Sequence, residues 1–193
     1  EALYRDIVAG ENECGETELV FMHLEQASAF AGLSSFAAVT GRAGERQPLW
    51  PEGRMSYIEW CTVPTNANGS CMLLVSGGAY GGCSNVELVE RWRSELTKLG
   101  FQCVNLVYRT PRPEGLPIWQ SAWQDGQRAV RLVRSAAKAR GFNPERIGAI
   151  GMSAGGRLVC LLATSALTPA YAAMDATDRL PCHVNWAIAS APV

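Results

Sequence analysis

The stretch Ile147-Gly148-Ala149-Ile150-Gly151-Met152-Ser153-Ala154-Gly155-Gly156 decides how this chain is read. Residues 147–150 predict a buried strand, residues 154–165 predict a helix, and between them Gly151-Met152-Ser153-Ala154-Gly155 matches G-x-S-x-G. A serine at so tight a strand-to-helix turn is forced into a strained conformation, and glycines two before and two after it remove side chains that would collide in the bend. The hydroxyl is thereby held above the sheet at a helix N-terminus, where partial positive charge favours a developing oxyanion. Ser153 is the candidate nucleophile, the plain alternative being a helix-capping serine at a glycine-rich turn.

Outward from this turn, short β-rich runs alternate with helix-period segments. Strands are predicted over residues 57–63, 71–75, 101–108 and 184–189, with the run Cys71-Met72-Leu73-Leu74-Val75 apolar throughout, as for a strand buried on both faces. Val86, Val89, Trp92, Leu96 and Leu99 recur three or four residues apart and predict an amphipathic helix over 85–99, closed by Gly100. A longer helix is predicted over 119–140, with Ala122, Ala129, Val130, Leu132, Val133 and Ala136 inward and Arg128, Arg131 and Arg134 along another face. The alternation implies an α/β fold, a mostly parallel sheet with helices on both faces, spanning residues 56–193. Residues 1–55 differ in texture and have no assigned role: 11–18 are acidic, 19–24 are a short apolar run, and 41–54, with Gly44, Pro48, Pro51 and Gly53, read as a connector.

The composition narrows the function classes. In 193 residues, 48% are hydrophobic and 18% charged, which is ample apolar material for a folded core and excludes wholesale disorder. Lys and Arg number 17 against 18 Asp and Glu, so no electrostatic grip on nucleic acid or an anionic membrane is expected. The longest uncharged N-terminal stretch, residues 26–41, is shorter than the ~20 apolar residues a spanning helix needs. Seven cysteines occur without a C-x-x-C pair or a histidine at zinc-finger spacing, so no metal site and reduced thiols are expected. No leader is recognisable, and the compartment stays open.

A second element reinforces the first. Gly77-Gly78-Ala79-Tyr80 directly follows the apolar 71–75 run. A glycine-rich loop there lets backbone N–H groups face a reacting carbonyl oxygen, the task of half an oxyanion hole. Neither G-K-[ST] nor G-x-G-x-x-G is in frame, which argues against a phosphate cradle.

These motifs, with Val104-Asn105-Leu106-Val107-Tyr108-Arg109, the segment 125–134 and Asn143-Pro144-Glu145-Arg146-Ile147-Gly148, resemble an α/β-hydrolase of the esterase/lipase type. The likeness is to bacterial carbohydrate-ester hydrolases, acetyl-xylan-esterase-like or feruloyl-esterase-like proteins, and covers roughly residues 57–193. It implies that the N–H groups of Ala79 and Ala154 form the oxyanion hole, that Gly78 allows the approach, and that Tyr80 lies beside the acyl pocket. The chain departs from the family where Val75-Ser76 precede the glycines in place of a histidine, and where Arg157 replaces a common histidine after the turn.

In this fold the acid and the histidine follow the serine, after later strands. Here neither is found in place, so the fold is expected with its C-terminal strands absent from this chain, an exposed edge beside the last strand, and an Asp and His supplied by a missing C-terminal part or a second chain. His183, at the entry to the last strand, reads as a hydrogen-bonded strand-edge residue; His23 lies in the unassigned segment. Asp175 and Asp178 read as solvated turn acids, and Asp125 as the partner of a nearby arginine. Trp50, Trp119 and Trp123 offer sugar-stacking rings, although core packing is the commoner use of tryptophan at helical spacing. The expected function is a serine ester hydrolase working through an acyl-enzyme on a carbohydrate or small-molecule ester, without cofactor. A small-molecule carboxylesterase, an arylformamidase-like amidase and a non-catalytic binding protein on the same fold are the alternatives.

Overall fold

The computed structural model describes residues 18–22, 44–52, 56–84 and 86–192. Among them, strands β1 (Glu18–Met22), β2 (Glu45–Pro48), β3 (Tyr57–Trp60), β4 (Cys71–Val75), β5 (Gln102–Val107), β6 (Ile147–Met152) and β7 (Trp186–Ser190) form one sheet in the order β1-β7-β6-β4-β5-β3-β2. The five strands from β1 to β5 in that order run parallel, and β3 turns antiparallel to both β5 and β2. Helices α1 (Val86–Lys98), α2 (Gln120–Arg140) and α3 (Ala154–Thr164) supply the crossovers. This is the α/β-hydrolase arrangement, a mostly parallel sheet with helices on both faces.

The two-residue period of β4 shows why the apolar run had to be continuous. Cys71, Leu73 and Val75 face one core with Val130, Val133, Leu158 and Leu162 of α2 and α3. Met72 and Leu74 face the other core with Val89 and Trp92 of α1. Both faces of the strand are dry, so neither admits a polar residue. In β6 the same burial meets a close neighbour: a Cβ on Gly148 would lie 2.0 Å from the Trp186 indole nitrogen, so glycine there makes room for the ring on the adjacent strand.

Both ends of the sheet differ from expectation. The connector expected over 41–54 contains β2, paired antiparallel with β3. Its sequence, Glu-Arg-Gln-Pro, is largely exposed and carries no hydrophobic alternation; backbone pairing and cross-strand side chains hold it. Arg46 faces Glu59 at 3.0 Å and the Trp60 indole donates to Gln47 at 3.3 Å. Charge and a terminal proline suit an outer strand, which must not invite further pairing. At the other end, β1 lies parallel to β7, so the edge expected to stand exposed beside the last strand is occupied.

Of the two acids read as solvated in the connection from α3 to β7, Asp175 is exposed and Asp178 is not. Asp175 caps the 3-10 turn Ala176–Arg179, while Asp178 is buried, and both pair with Arg128 of α2, at 2.6 and 2.8 Å. Arg134, buried on the same helix, donates to the carbonyls of Pro144, Pro181 and His183. The arginine row of α2 thus fastens this connection to the core.

Candidate active site

The site is built where the chain reverses its direction of travel across the sheet. From β4 the chain moves outward to β5, then returns to the other side of β4 as β6, leaving a crevice beyond the carboxyl ends of β4 and β6. Val75 and Gly151 are register partners, so the loops that follow the two strands emerge side by side.

Ser153 stands immediately after β6 with φ 55° and ψ −122°, a region that non-glycine residues rarely occupy. Its own N–H donates to the Ser190 carbonyl at 2.9 Å, and its carbonyl accepts from Arg157 at 3.0 Å as α3 begins. The flanking glycines have steric causes. A Cβ on Gly151 would lie 2.4 Å from the Gly155 carbonyl oxygen, and one on Gly155 would lie 2.5 Å from the carbonyl oxygens of both Val75 and Ser76. The second contact matters most for the site, because it lets the first turn of α3 sit directly against the loop leaving β4. Gly155→Ala is expected to force these backbones apart at a cost of about 1–3 kcal/mol. Equilibrium urea denaturation should show a lower midpoint with an unchanged slope.

The facing loop is equally constrained. Gly78, at φ 129°, has the Gly82 carbonyl oxygen 2.1 Å from where a Cβ would stand. Ala79 and Tyr80 follow at φ 50° and 59°. The loop closes on itself through Gly81 N–H to Gly78 O and Ser84 N–H to Gly77 O, both 2.9 Å. The Ala79 amide has no backbone acceptor among the described residues. Ala154 opens α3, where N–H groups have no partner within the helix. Gly78, Ala79, Ser153 and Ala154 are therefore brought together, with two uncommitted amides and a strained serine around one crevice. Tyr80 is 4% exposed, and its hydroxyl donates to the Ala154 carbonyl at 3.0 Å.

Among the described residues no histidine approaches Ser153. His183 precedes Asn185, which pairs with Ile147 at the opposite end of β6, about 20 Å from the serine at ~3.3 Å per residue. Burial pushes its imidazole below the usual range, and its carbonyl accepts from Arg134. His23 lies outside the described residues. Asp125 is fully buried and held by Arg109, as its reading as an arginine partner requires, and by Trp50. Four of the thiols are poor nucleophiles: burial pushes Cys61 up to about 12 and Cys103 up to about 11, with Cys71 and Cys160 raised as well. No group of three His, Cys, Asp or Glu among the described residues is arranged to hold a metal ion. No helix among them is long and apolar enough to cross a membrane.

The tryptophans divide by use. Trp50 is buried against Tyr171 and Asp125, away from any sugar. Trp119 and Trp123 pack with tilted rings on the flank of the core, and the Arg157 guanidinium, one turn into α3 from Ser153, lies 5.8 Å from the Trp119 ring.

Known proteins are similar to this chain in sequence and in fold. An acetylxylan esterase of Xylanibacter ruminicola is 31% identical over 117 residues, which cover 60% of this chain and 23% of that protein. An acetyl ester-xyloside bifunctional hydrolase from Caldicellulosiruptor lactoaceticus superposes with a TM-score of 0.61 at 22% identity, over 78% of this chain and 58% of that one. The esterase Est2 of Thermogutta terrifontis superposes with a TM-score of 0.66 at 20% identity, over 79% of this chain and 54% of that one. The chain thus spans about a quarter of the curated esterase and somewhat over half of each solved structure. The BD-FAE family model matches residues 62–183, more than half of the chain and the whole stretch from β4 through the Ser153 turn to the entry of β7, so the chain belongs to the BD-FAE family.

Proposed function

We propose that this chain carries the nucleophile and oxyanion hole of a serine ester hydrolase. The observation that carries the reading is Ser153 at φ 55° on the β6–α3 turn, facing the β4 loop whose Ala79 is held at φ 50°. A fold that merely binds has no need to hold Ser153 at positive φ on one loop and Ala79 and Tyr80 at positive φ on the loop facing it.

In the proposed reaction the Ser153 hydroxyl attacks the ester carbonyl, and its proton passes to a histidine outside the described residues, oriented by an acid also outside them. The N–H groups of Ala79 and Ala154 hold the tetrahedral oxyanion, Gly78 leaves room for it, and the positive end of α3 adds to the stabilisation. Collapse expels the alcohol, which leaves with the proton from the histidine, and the acyl group stays on Ser153. Water, deprotonated by the same histidine, releases the acid and restores the serine. No step calls for a cofactor. The acetylxylan esterase among the relatives makes an acyl ester on a sugar the proposed substrate.

The test uses the intact protein. A fluorophosphonate probe is expected to add once, on Ser153, by intact mass and peptide mapping, and to abolish hydrolysis of p-nitrophenyl acetate and acetyl release from acetylated xylan. Turnover that survives complete labelling, or a label on another residue, would overturn the assignment. Hydrolysis of the aryl ester without acetyl release from xylan would favour a small-molecule carboxylesterase instead.

A further inference from the structure

An oxyanion hole needs two amides at a fixed separation, and here they belong to segments 75 residues apart in the chain. Sheet register alone sets the strands, not the loops beyond them. Beside the packing of Gly155 on the exit of β4, a phenol ties the two segments together. Tyr80, the residue after Ala79, donates its hydroxyl to the carbonyl of Ala154 at 3.0 Å, within the buried interior. We infer that Tyr80 is a positioning residue whose hydroxyl braces one half of the oxyanion hole against the other, aiming the Ala79 and Ala154 amides at a common point. The inference rests on the proposed roles of Ser153 and the two amides.

Three features support it. First, Ala79 and Tyr80 both occupy positive φ, a conformation that persists only where the surroundings over-determine it. The loop's two internal hydrogen bonds start from Gly81 and Ser84, after Tyr80, and do not reach α3. The Tyr80 hydroxyl does.

Second, the opposite end of the loop is held in the same way. Tyr108, directly after β5 and wholly buried, directs its hydroxyl to the Ser76 carbonyl at 3.1 Å and the Gly77 carbonyl at 3.3 Å. Its ring lies against that of Tyr80, with centroids 6.0 Å apart. With these carbonyls turned toward a phenol in the core, the loop is anchored at its entry by Tyr108 and at its crest by Tyr80. Third, burial pushes the Tyr80 phenol up to about 12, so it keeps its proton and remains a donor wherever an esterase would work.

The brace differs from a pocket wall in what it controls. A side chain lining the acyl pocket changes KM and the preference among acyl lengths. A brace changes only the fit to the tetrahedral state, so it lowers kcat equally for all of them. Tyr80→Phe keeps the ring and its packing and removes one hydrogen bond.

For esters of acetate, propionate and butyrate with p-nitrophenol, kcat is expected to fall by about 10- to 100-fold in each, with KM within about twofold, as for a misaligned donor. The affinity of a trifluoromethyl ketone, which forms a tetrahedral adduct with the serine, should fall by the same factor as kcat/KM. Near-wild-type kinetics in Tyr80→Phe would overturn the brace, and so would a loss confined to the longer acyl chains. These outcomes are separable from failure of the underlying reading: wild-type protein that takes no fluorophosphonate label sinks the serine hydrolase and the brace together, whereas labelled wild type with an unaffected Tyr80→Phe sinks the brace alone.

Discussion

Ser153→Ala is expected to lower kcat of the intact protein by about 10⁴- to 10⁶-fold while leaving KM within a few-fold of wild type. The size follows from the role. Among the described residues, the thiols of Cys61, Cys71, Cys103 and Cys160 are held protonated by burial, and the Tyr80 hydroxyl is committed to the Ala154 carbonyl. The residual rate should exceed that of the uncatalysed reaction, because the Ala79 and Ala154 amides would still polarise a bound ester toward attack by water. The variant keeps the turn, since alanine occupies positive φ at Ala79 in the same structure. Steady-state kinetics on p-nitrophenyl acetate, with circular dichroism to verify the fold, measure this. A kcat within tenfold of wild type would place the nucleophile elsewhere.

The largest effect on stability is expected at Asp125. Its carboxylate, fully buried, accepts the Trp50 indole N–H and the Arg109 backbone N–H, each at 2.6 Å, and the Arg109 Nε at 2.9 Å. The Arg109 guanidinium, 8% exposed, also donates to the Ser121 carbonyl and the Gln124 side chain, and stacks 5.0 Å from the Trp50 ring. One carboxylate thereby joins residues 49–50, the exit of β5 and the first turns of α2. Asp125→Ala would leave a buried cation without its counter-ion and two N–H donors without acceptors, a loss of about 3–5 kcal/mol. Denaturant titration of the intact protein measures it, and a loss under about 1 kcal/mol would mean that water or a rearranged side chain takes the place of the carboxylate.

The Arg109–Asp125 pair also shows how far a sequence can be read. Asp125, near the start of a predicted helix, reads as the partner of a nearby arginine or as a helix-dipole charge, and the first of these is what the fold realises. Trp50 as a second partner is invisible, being 75 residues away in a stretch that reads as a connector. The same holds for Asp178. As a turn acid it belongs in water, and only the fold brings the Arg128 guanidinium 2.8 Å from it. The row Arg128, Arg131 and Arg134 was visible as a face, but nothing local distinguishes arginines that meet solvent from arginines that meet buried carbonyls.

What the sequence determined by itself was local in origin. The strained turn at Ser153, the glycine loop at 77–80, the double-sided burial of β4 and the amphipathic helices each follow from residues within a few positions of one another, where sterics and hydrophobic period act directly. Only the tertiary structure decided the rest. It set β2 and β1 at the two ends of the sheet: β2 carries no apolar pattern, because backbone pairing at a sheet margin requires none, and the apolar run in β1 does not by itself name its neighbour. It put His183 at the far end of β6 from the serine, because strand direction and register fix that separation. And it turned the Tyr80 hydroxyl onto the Ala154 carbonyl, a contact that exists only once two parallel strands have brought two distant loops to the same edge.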